Sequence, residues 1–567
     1  MKTKFALFGA ATALALLPMT ASAQRGSSGH LNVIYWQAPS IMNPYLSGGT
    51  KDVDAANIVL EPLARYNGDG VLVPWLAQEV PTVENGGVAA DLTSITWRLQ
   101  EGLLWSDGTP VTSADVAFTA QYCMDPAGGC AQLRQFNGVE SVEVVDELTV
   151  TVHFAQPTPV PYGPFVTMGS PIIQAAQFAE CLGARAPECT EANFYPIGTG
   201  GFRVTDFRPN DVITFEANPN YRDPALPYFA TMTLKGGGDA ASAGRAVMET
   251  GEMDYAWNLQ LAPDVIAQMA QGGRGVPVAA FGTLVERIEI NMTDPSPNLP
   301  PETRSTRAAP HPIFTDIRVR EALSRAIDRE LLVEIGYGQA GQPACNLVPA
   351  PPMFASEANE NCRAQDLDRA RALLDEAGWV PGPDGIRVKD GVRLVLDYQS
   401  STNAVRQDFQ ALIQQWWREI GVEANLRNIN SSVFFGGDPA SPDTFQKFYA
   451  DVEMYANNFP GTDPEQYLGQ YRCGMEPRPE TQWQGENINR FCDPAYDALH
   501  SELARTANIE ERARIARELN DILVQNFVII PLVHRGRVSA RATTLEGTDL
   551  NTWDTELWNI AEWRRAG

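Results

Sequence analysis

The chain has 567 residues, 44 % of them hydrophobic, with 43 Lys and Arg against 69 Asp and Glu for a formal charge of −26. That length corresponds to about three to four domain-sized units, and so high a hydrophobic share excludes a disordered chain. So acidic a surface excludes nucleic acid and anionic lipid as partners.

The N-terminus reads "MKTKFALFGAATALALLPMTASAQ". Lys2 and Lys4 form a basic region, Phe5 to Leu17 a short apolar one, and Ala21-Ser22-Ala23 a cleavage site before Gln24. This is the pattern of a secretory signal peptide over 1–23, cleaved after Ala23; the apolar run is too short to span a bilayer. Losing both lysines takes the charge from −26 to −28. No Cys follows the cleavage site, so an exported, periplasmic protein without a lipid anchor is expected.

Next, "LNVIYW" (Leu31 to Trp36) predicts a strand, ended by the turn-rich "QAPSIMNPYLSGGT". "ITWRLQEGLLWSDGTPVTSADVAFTAQYC" predicts a strand, a turn and a helix capped by Thr112 or Ser113; Trp97 and Trp105 look structural. "SVEVVDELTVTVHFAQP" is two alternating strands around Asp146-Glu147, so 70–195 reads as α+β. Strand-turn-strand follows around 203–216; "GTGGF" at 198–202 opens a strand and reads as a turn rather than a phosphate cradle. Beyond a Pro-rich loop at 294–312, "FTDIRVREALSRAIDRELLVEIGYG" predicts a helix, and "DLDRARALLDEAGW" a second with Asp366 as cap.

The clearest unit spans 393–429. "RLVLDY" is a strand; Phe409, Leu412, Ile413, Trp416 and Ile420 follow helical spacing up to Gly421; "VEANLRNI" is a strand again. This βαβ unit predicts parallel strands, with ligands at their carboxyl ends, here "QSSTN". Trp416 is expected in the core and Trp417 nearer the rim. "FYADVEMYA" is another strand, ending in "NNFPGTDPEQY".

Eight Cys in an exported chain point to disulfides. Nearest-neighbour pairing gives Cys123 with Cys130, Cys181 with Cys189, Cys345 with Cys362, and Cys473 with Cys492, one of 105 connectivities, read as staples on surface loops. No CxxC, HExxH, G-x-S-x-G or P-loop is present, and the five His are dispersed. No metal, cofactor or catalytic residue is implied. A secreted hydrolase, the rival class, would need a nucleophile or carboxylate pair that the spacing does not display.

"LEPLARYNGDGVLVPWLAQ" followed by "ITWRLQEGLLWSDGTPVTSADVAFT" resembles the opening block of the family 5 extracellular solute-binding proteins, the peptide/nickel/opine receptors of ABC importers. "IGTGGFRVTDFRPNDVITFEANPNY", "DLDRARALLDEAGW" and "IIPLVHRGRV" fall in the family's order. The resemblance implies an α/β, two-lobed periplasmic binding protein of type II with an extra α+β subdomain and a two-strand hinge. Lobe I would be 24–70, 196–285 and 536–567; the subdomain 71–195; lobe II 286–535. Hinge crossings are expected near Asn291 and near Val533 to Arg537. It also implies a monomer that is not an enzyme, with a small-molecule or peptide ligand and ABC permease subunits as partners.

Peptide-binding members carry an aspartate for the ligand's ammonium in the segment matching Asp451 to Pro464. Here that place falls on Pro460, or with a small gap on Asn457 or Asn458, so the acid is missing although Asp463 is near. An uncompensated buried ammonium is costly. The expected ligand is therefore an oligopeptide-like solute without a free amine, or an oligosaccharide or opine-like conjugate. The candidate contacts are Tyr35, Trp36, Thr50, Trp257, Asn403, Arg406, Tyr455, Asn457, Asn458, Phe459 and Asp463. Arg406 would take a ligand carboxylate, or be a surface helix charge; either Asn could instead only satisfy turn backbone.

Overall fold

Two large sheets organise the computed structural model, which describes residues 24–566; the signal-peptide reading of 1–23 lies outside the described residues. The first sheet has seven strands, in the order Gly275–Ala280, Arg537–Ala542, Tyr255–Ala256, His30–Tyr35, Thr231–Gly236, Val212–Ala217 and Phe202–Arg208. His30–Tyr35 pairs in parallel with both neighbours. Leu31, Val33 and Tyr35 enter one apolar cluster, Ile34 and Trp36 another. A strand covered on both faces is expected to be apolar throughout, as "LNVIYW" nearly is. This sheet is the centre of lobe I.

The second sheet, the centre of lobe II, has the order Gly341–Pro343, Ile529–Arg535, Val285–Ile290, Val452–Asn457, Val395–Ser401 and Glu423–Ile429. The βαβ reading holds: Val395–Ser401 and Glu423–Ile429 are parallel, joined by a helix over Ala404–Glu419. The strand runs farther than expected and takes in "QSS". Trp417 is fully buried and donates its indole N–H to the Leu323 carbonyl, whereas Trp416 is 7 % exposed. That reverses the expected depth of the pair, because the helix Ile317–Arg325 also packs over this face. The long helix expected from Phe314 onward divides into Ile317–Arg325 and Arg329–Gly336, because the Asp328 carboxylate caps a new start at Leu331 N.

A third sheet, Ser94–Arg98, Thr149–Phe154 and Val139–Asp146, packs with the helix Ser113–Met124 around its own core, including Trp97 and Trp105. Thr112 and Asp115 close that helix with a capping box. At 198–202 the glycines serve packing: a Cβ at Gly198 or Gly200 would run into the backbone of Val59 and Ile58.

All eight cysteines pair as nearest neighbours, with Cα separations from 4.7 to 5.8 Å. Cys123, Cys130 and Cys181 belong to the apolar core of the α+β unit, so these bridges are not merely surface staples.

Two chain crossings join the lobes. One is the segment 281–284, between Gly275–Ala280 in lobe I and Val285–Ile290 in lobe II. The other is Gly536, between Ile529–Arg535 and Arg537–Ala542. The second lies where the sequence put it; the first lies earlier than Asn291. Asn291 instead ends the strand, its amide bonded to the Phe448 and Ala450 carbonyls. The crossings are tied together: Arg535 N donates to Leu284 O at 3.0 Å, and His534 Nε2 to Gly282 O at 2.8 Å.

Candidate functional site

A cavity lies between the lobes beside both crossings. Its walls include Thr50 and Trp257 from lobe I, Arg406, Tyr455, Asn457 and Asn458 from lobe II, and Gln132 and Arg134 from the α+β unit. Its volume is about 110 Å³, and one water needs about 10–15 Å³. The space therefore suits a compact solute.

The lobe I floor is built on stacking and a buried carboxylate. Trp257 follows the strand Tyr255–Ala256 and lies flat on Tyr35, with centroids 4.5 Å apart and planes 13° from parallel. Its indole Nε1 donates to Asp54 Oδ2 at 2.9 Å. Asp54 sits on the helix Thr50–Ala56, whose Lys51 and Asp52 are also buried and paired at 2.8 Å. Tyr35 thus supports the floor from below, and burial pushes its hydroxyl well above the usual tyrosine range.

The lobe II wall carries an aromatic cluster. Phe445 stands edge-on to Tyr455 at 5.4 Å, and Phe435 faces both at 5.8 and 6.2 Å. Such rings offer area and shape to a ligand with few rotamers to freeze. Phe435 and Phe445 escaped the sequence reading because "FFGGDPASPDTFQ" carries no periodicity that assigns it to a wall.

Cations outnumber carboxylates around the cavity. Lys51, Arg134, Arg406, Arg535 and Arg537 line it; Glu486 is the only carboxylate lining it among the described residues. Glu486 is already paired with Arg134. Arg406 is 3 % exposed, hence not a surface charge; it donates to Glu286 Oε1 at 2.6 Å and Ser401 Oγ at 2.7 Å. Burial alone would raise the Glu286 carboxyl, but the Arg406 and Arg535 guanidiniums outweigh it and hold it below the usual carboxylate range. On the lobe I side Arg537 lies 3.5 Å from Asp54 and 3.7 Å from Glu556. The two hinge arginines escaped the sequence reading; the one available signal was a pair of cations around Gly536 in the otherwise apolar run "IIPLVHRGRV".

The other candidates lie outside this cavity. Trp36 and Asn403 line a neighbouring recess between the lobes, Trp36 donating to the Asn258 carbonyl at 2.9 Å. Asn403 caps the Ala404–Glu419 helix by accepting from Arg406 N at 3.1 Å. Phe459 is buried on Tyr467, with its carbonyl accepting from Thr283 Oγ1 at 2.7 Å, so it fixes a hinge crossing to the wall. Asp463 turns away: both its oxygens accept from Arg512, at 2.7 and 2.9 Å. Asn457 Oδ1 accepts from Asn458 N at 2.9 Å, a turn bond, while both residues still reach the cavity. Among the described residues no group of three or more His, Cys, Asp or Glu is arranged to hold a metal ion.

Two lobes closing over a cavity lined from both sides, with a pair of strand crossings at its edge, define a solute-binding protein. The model for the bacterial extracellular solute-binding proteins, family 5, matches residues 71–475, and the chain belongs to that family. It is similar to the glutathione-binding protein GsiB of Escherichia coli K12, 23 % identical over 468 residues and covering 82 % of each chain. The fold matches the oligopeptide-binding protein AppA of Bacillus subtilis, solved with a nonapeptide, at TM-score 0.80 and 19 % identity over 96 % of this chain and 100 % of that one. It also matches AgaA from A. tumefaciens R10, solved with agropinic acid, at TM-score 0.77 and 20 % identity over 95 % and 99 %.

Proposed function

We propose that this protein is the periplasmic receptor of an ABC importer, capturing a short peptide or peptide-like solute between its lobes and releasing it unchanged to the permease. The observation that carries this reading is the cavity between the lobes, walled by Trp257 from one and by Tyr455, Asn457 and Asn458 from the other. Its modest volume favours a small conjugate over a long peptide. The names of its relatives, a glutathione-binding protein and an agropinic acid complex, support the same size class. The three sheets support lobe I over 24–70, 196–285 and 536–567, the subdomain over 71–195 and lobe II over 286–535. Receptor action needs no catalyst: rings stack, amides and guanidiniums bond, and hinge closure traps the solute.

A thermal-shift screen of short peptides, oligosaccharides and opine-like compounds tests this, with each hit checked by mass spectrometry. A hit that raises Tm and stays intact supports the receptor, since binding only the native state stabilises it. Turnover of the hit would instead mark a hydrolase.

A further inference from the structure

This inference rests on the proposed capture of a small solute and names its charge. Arg535 is the last residue of the lobe II strand Ile529–Arg535, directly before the Gly536 crossing. It is 3 % exposed and lines the cavity. Its nearest carboxylate, Glu286, is 3.5 Å from Nε, and that atom makes no hydrogen bond. Both Glu286 oxygens are already engaged, Oε1 by Arg406 Nε at 2.6 Å and Oε2 by the Tyr337 hydroxyl at 3.1 Å. One carboxylate therefore serves two guanidiniums. Asp54 and Glu556 do not make up the difference, since they face Arg537, Trp257, Tyr255 and Ser539. Tyr337 lies under the Arg535 guanidinium at 5.5 Å, a face contact, and Nη1 makes only a long hydrogen bond, to the carbonyl of the next residue, Gly536, at 3.4 Å, so no carboxylate fills the N–H fork. Burial lowers the pKa of Arg535, as expected of a cation short of partners.

A buried guanidinium without a matched anion is unfavourable, and a carboxylate fits its fork better than any neutral group. We propose that the solute is an anion whose carboxylate sits on Arg535 at the hinge crossing. The missing aspartate at the strand end fits the same ligand: the wall that would meet an ammonium offers Asn457 and Asn458, and the charged anchor lies opposite in sign. Of the solutes expected from the sequence, this favours the peptide-like and opine-like acids over an uncharged oligosaccharide. Because Arg535 adjoins the crossing, the anion would be buried only when the lobes close, so closure and charge pairing occur together.

The test uses matched probes: short peptides, N-acyl amino acids and opine-like conjugates, each as the free acid and as its carboxamide, titrated calorimetrically into the full mature protein. The acid is expected to bind at least about tenfold more tightly than its amide, as loss of a charge-assisted hydrogen bond implies. In Arg535→Met that ratio falls to within about twofold, and Arg535→Lys restores part of it, since a cation returns without the planar fork. Glu286 keeps its Arg406 partner in both variants. If either fails to fold, the acid-to-amide ratio of the wild-type protein decides alone. An amide that binds as tightly as its acid overturns the anion proposal and leaves the receptor reading standing. A panel in which no member binds overturns both.

Discussion

Asn403 in lobe II donates its side-chain amide to Gln260 Oε1 in lobe I, and both residues are buried. The bond crosses the gap between the lobes beside a helix cap. It can exist only while the lobes are closed, so it weights the closed state. The Nε2 of Gln260 has no partner of its own. Gln260→Leu therefore removes the latch and an orphaned donor together and leaves the Asn403 cap in place. Ligand Kd should rise about two- to tenfold, the value of one ordinary hydrogen bond, with little change in the melting of the ligand-free protein. Titration calorimetry and a melting curve check this; an unchanged Kd would remove the latch from the closure mechanism.

Asp463 and Arg512 form a two-bond pair, with Arg512 2 % exposed. Asp463→Asn should lower unfolding free energy by about 1.5–3 kcal/mol, because a charged bond is lost around a buried guanidinium. Ligand affinity should stay within about twofold. Weakened binding at unchanged stability, measured by urea denaturation beside titration, would return Asp463 to the ligand site.

Burial, with Asp54 near, pushes the Glu556 carboxyl up to about 7. The folded state then holds more protons than the unfolded chain between pH about 4.5 and about 7. Stability must fall as pH rises through that window and be flat below it as far as this group is concerned. Glu556→Gln keeps a polar side chain there and removes the titration. At pH 8 the variant should be the more stable by up to about 3 kcal/mol, and at pH 4.5 the two should agree. Denaturation curves at both pH values check this; a constant difference between the proteins would contradict it.

The Cys345–Cys362 bridge spans 17 residues. Chain entropy gives such a loop about 3 kcal/mol. Reduction, or the double change to Ser, should lower Tm without altering the acid-to-amide ratio, since neither residue lines the cavity. Calorimetry on the oxidised and reduced protein provides the comparison.

Much of the frame was readable before any coordinates. The alternation in Val139–Asp146 and Thr149–Phe154, the helical spacing from Val405 to Trp416 and the Gly421 stop are local patterns, and local backbone preferences impose them. Adjacent cysteines paired as neighbours because short loops close readily. Boundaries were less legible. Asp328 looked like one more polar residue in a helix, and only the chain direction on either side makes it a cap.

The site divided along the same line. Trp257, Tyr455, Asn457, Asn458, Thr50 and Arg406 come together at the cavity. Phe459 and Asp463 stand four positions apart in sequence yet serve the hinge and an ion pair. The Pro460-Gly461 turn between them sends the two side chains to different surroundings, and sequence does not show which. Arg535 and Glu286 are 249 positions apart (535 − 286), and no periodicity relates them.

By itself, the sequence determined the alternation of strands and helices, the acidic and disulfide-linked character of the chain, and the family pattern that implies two lobes. The tertiary structure decided which charges face each other. Pairing depends on distances of a few ångströms between elements brought together by folding, and at that range burial and one shared carboxylate determine whether Arg535 is satisfied or left for the solute.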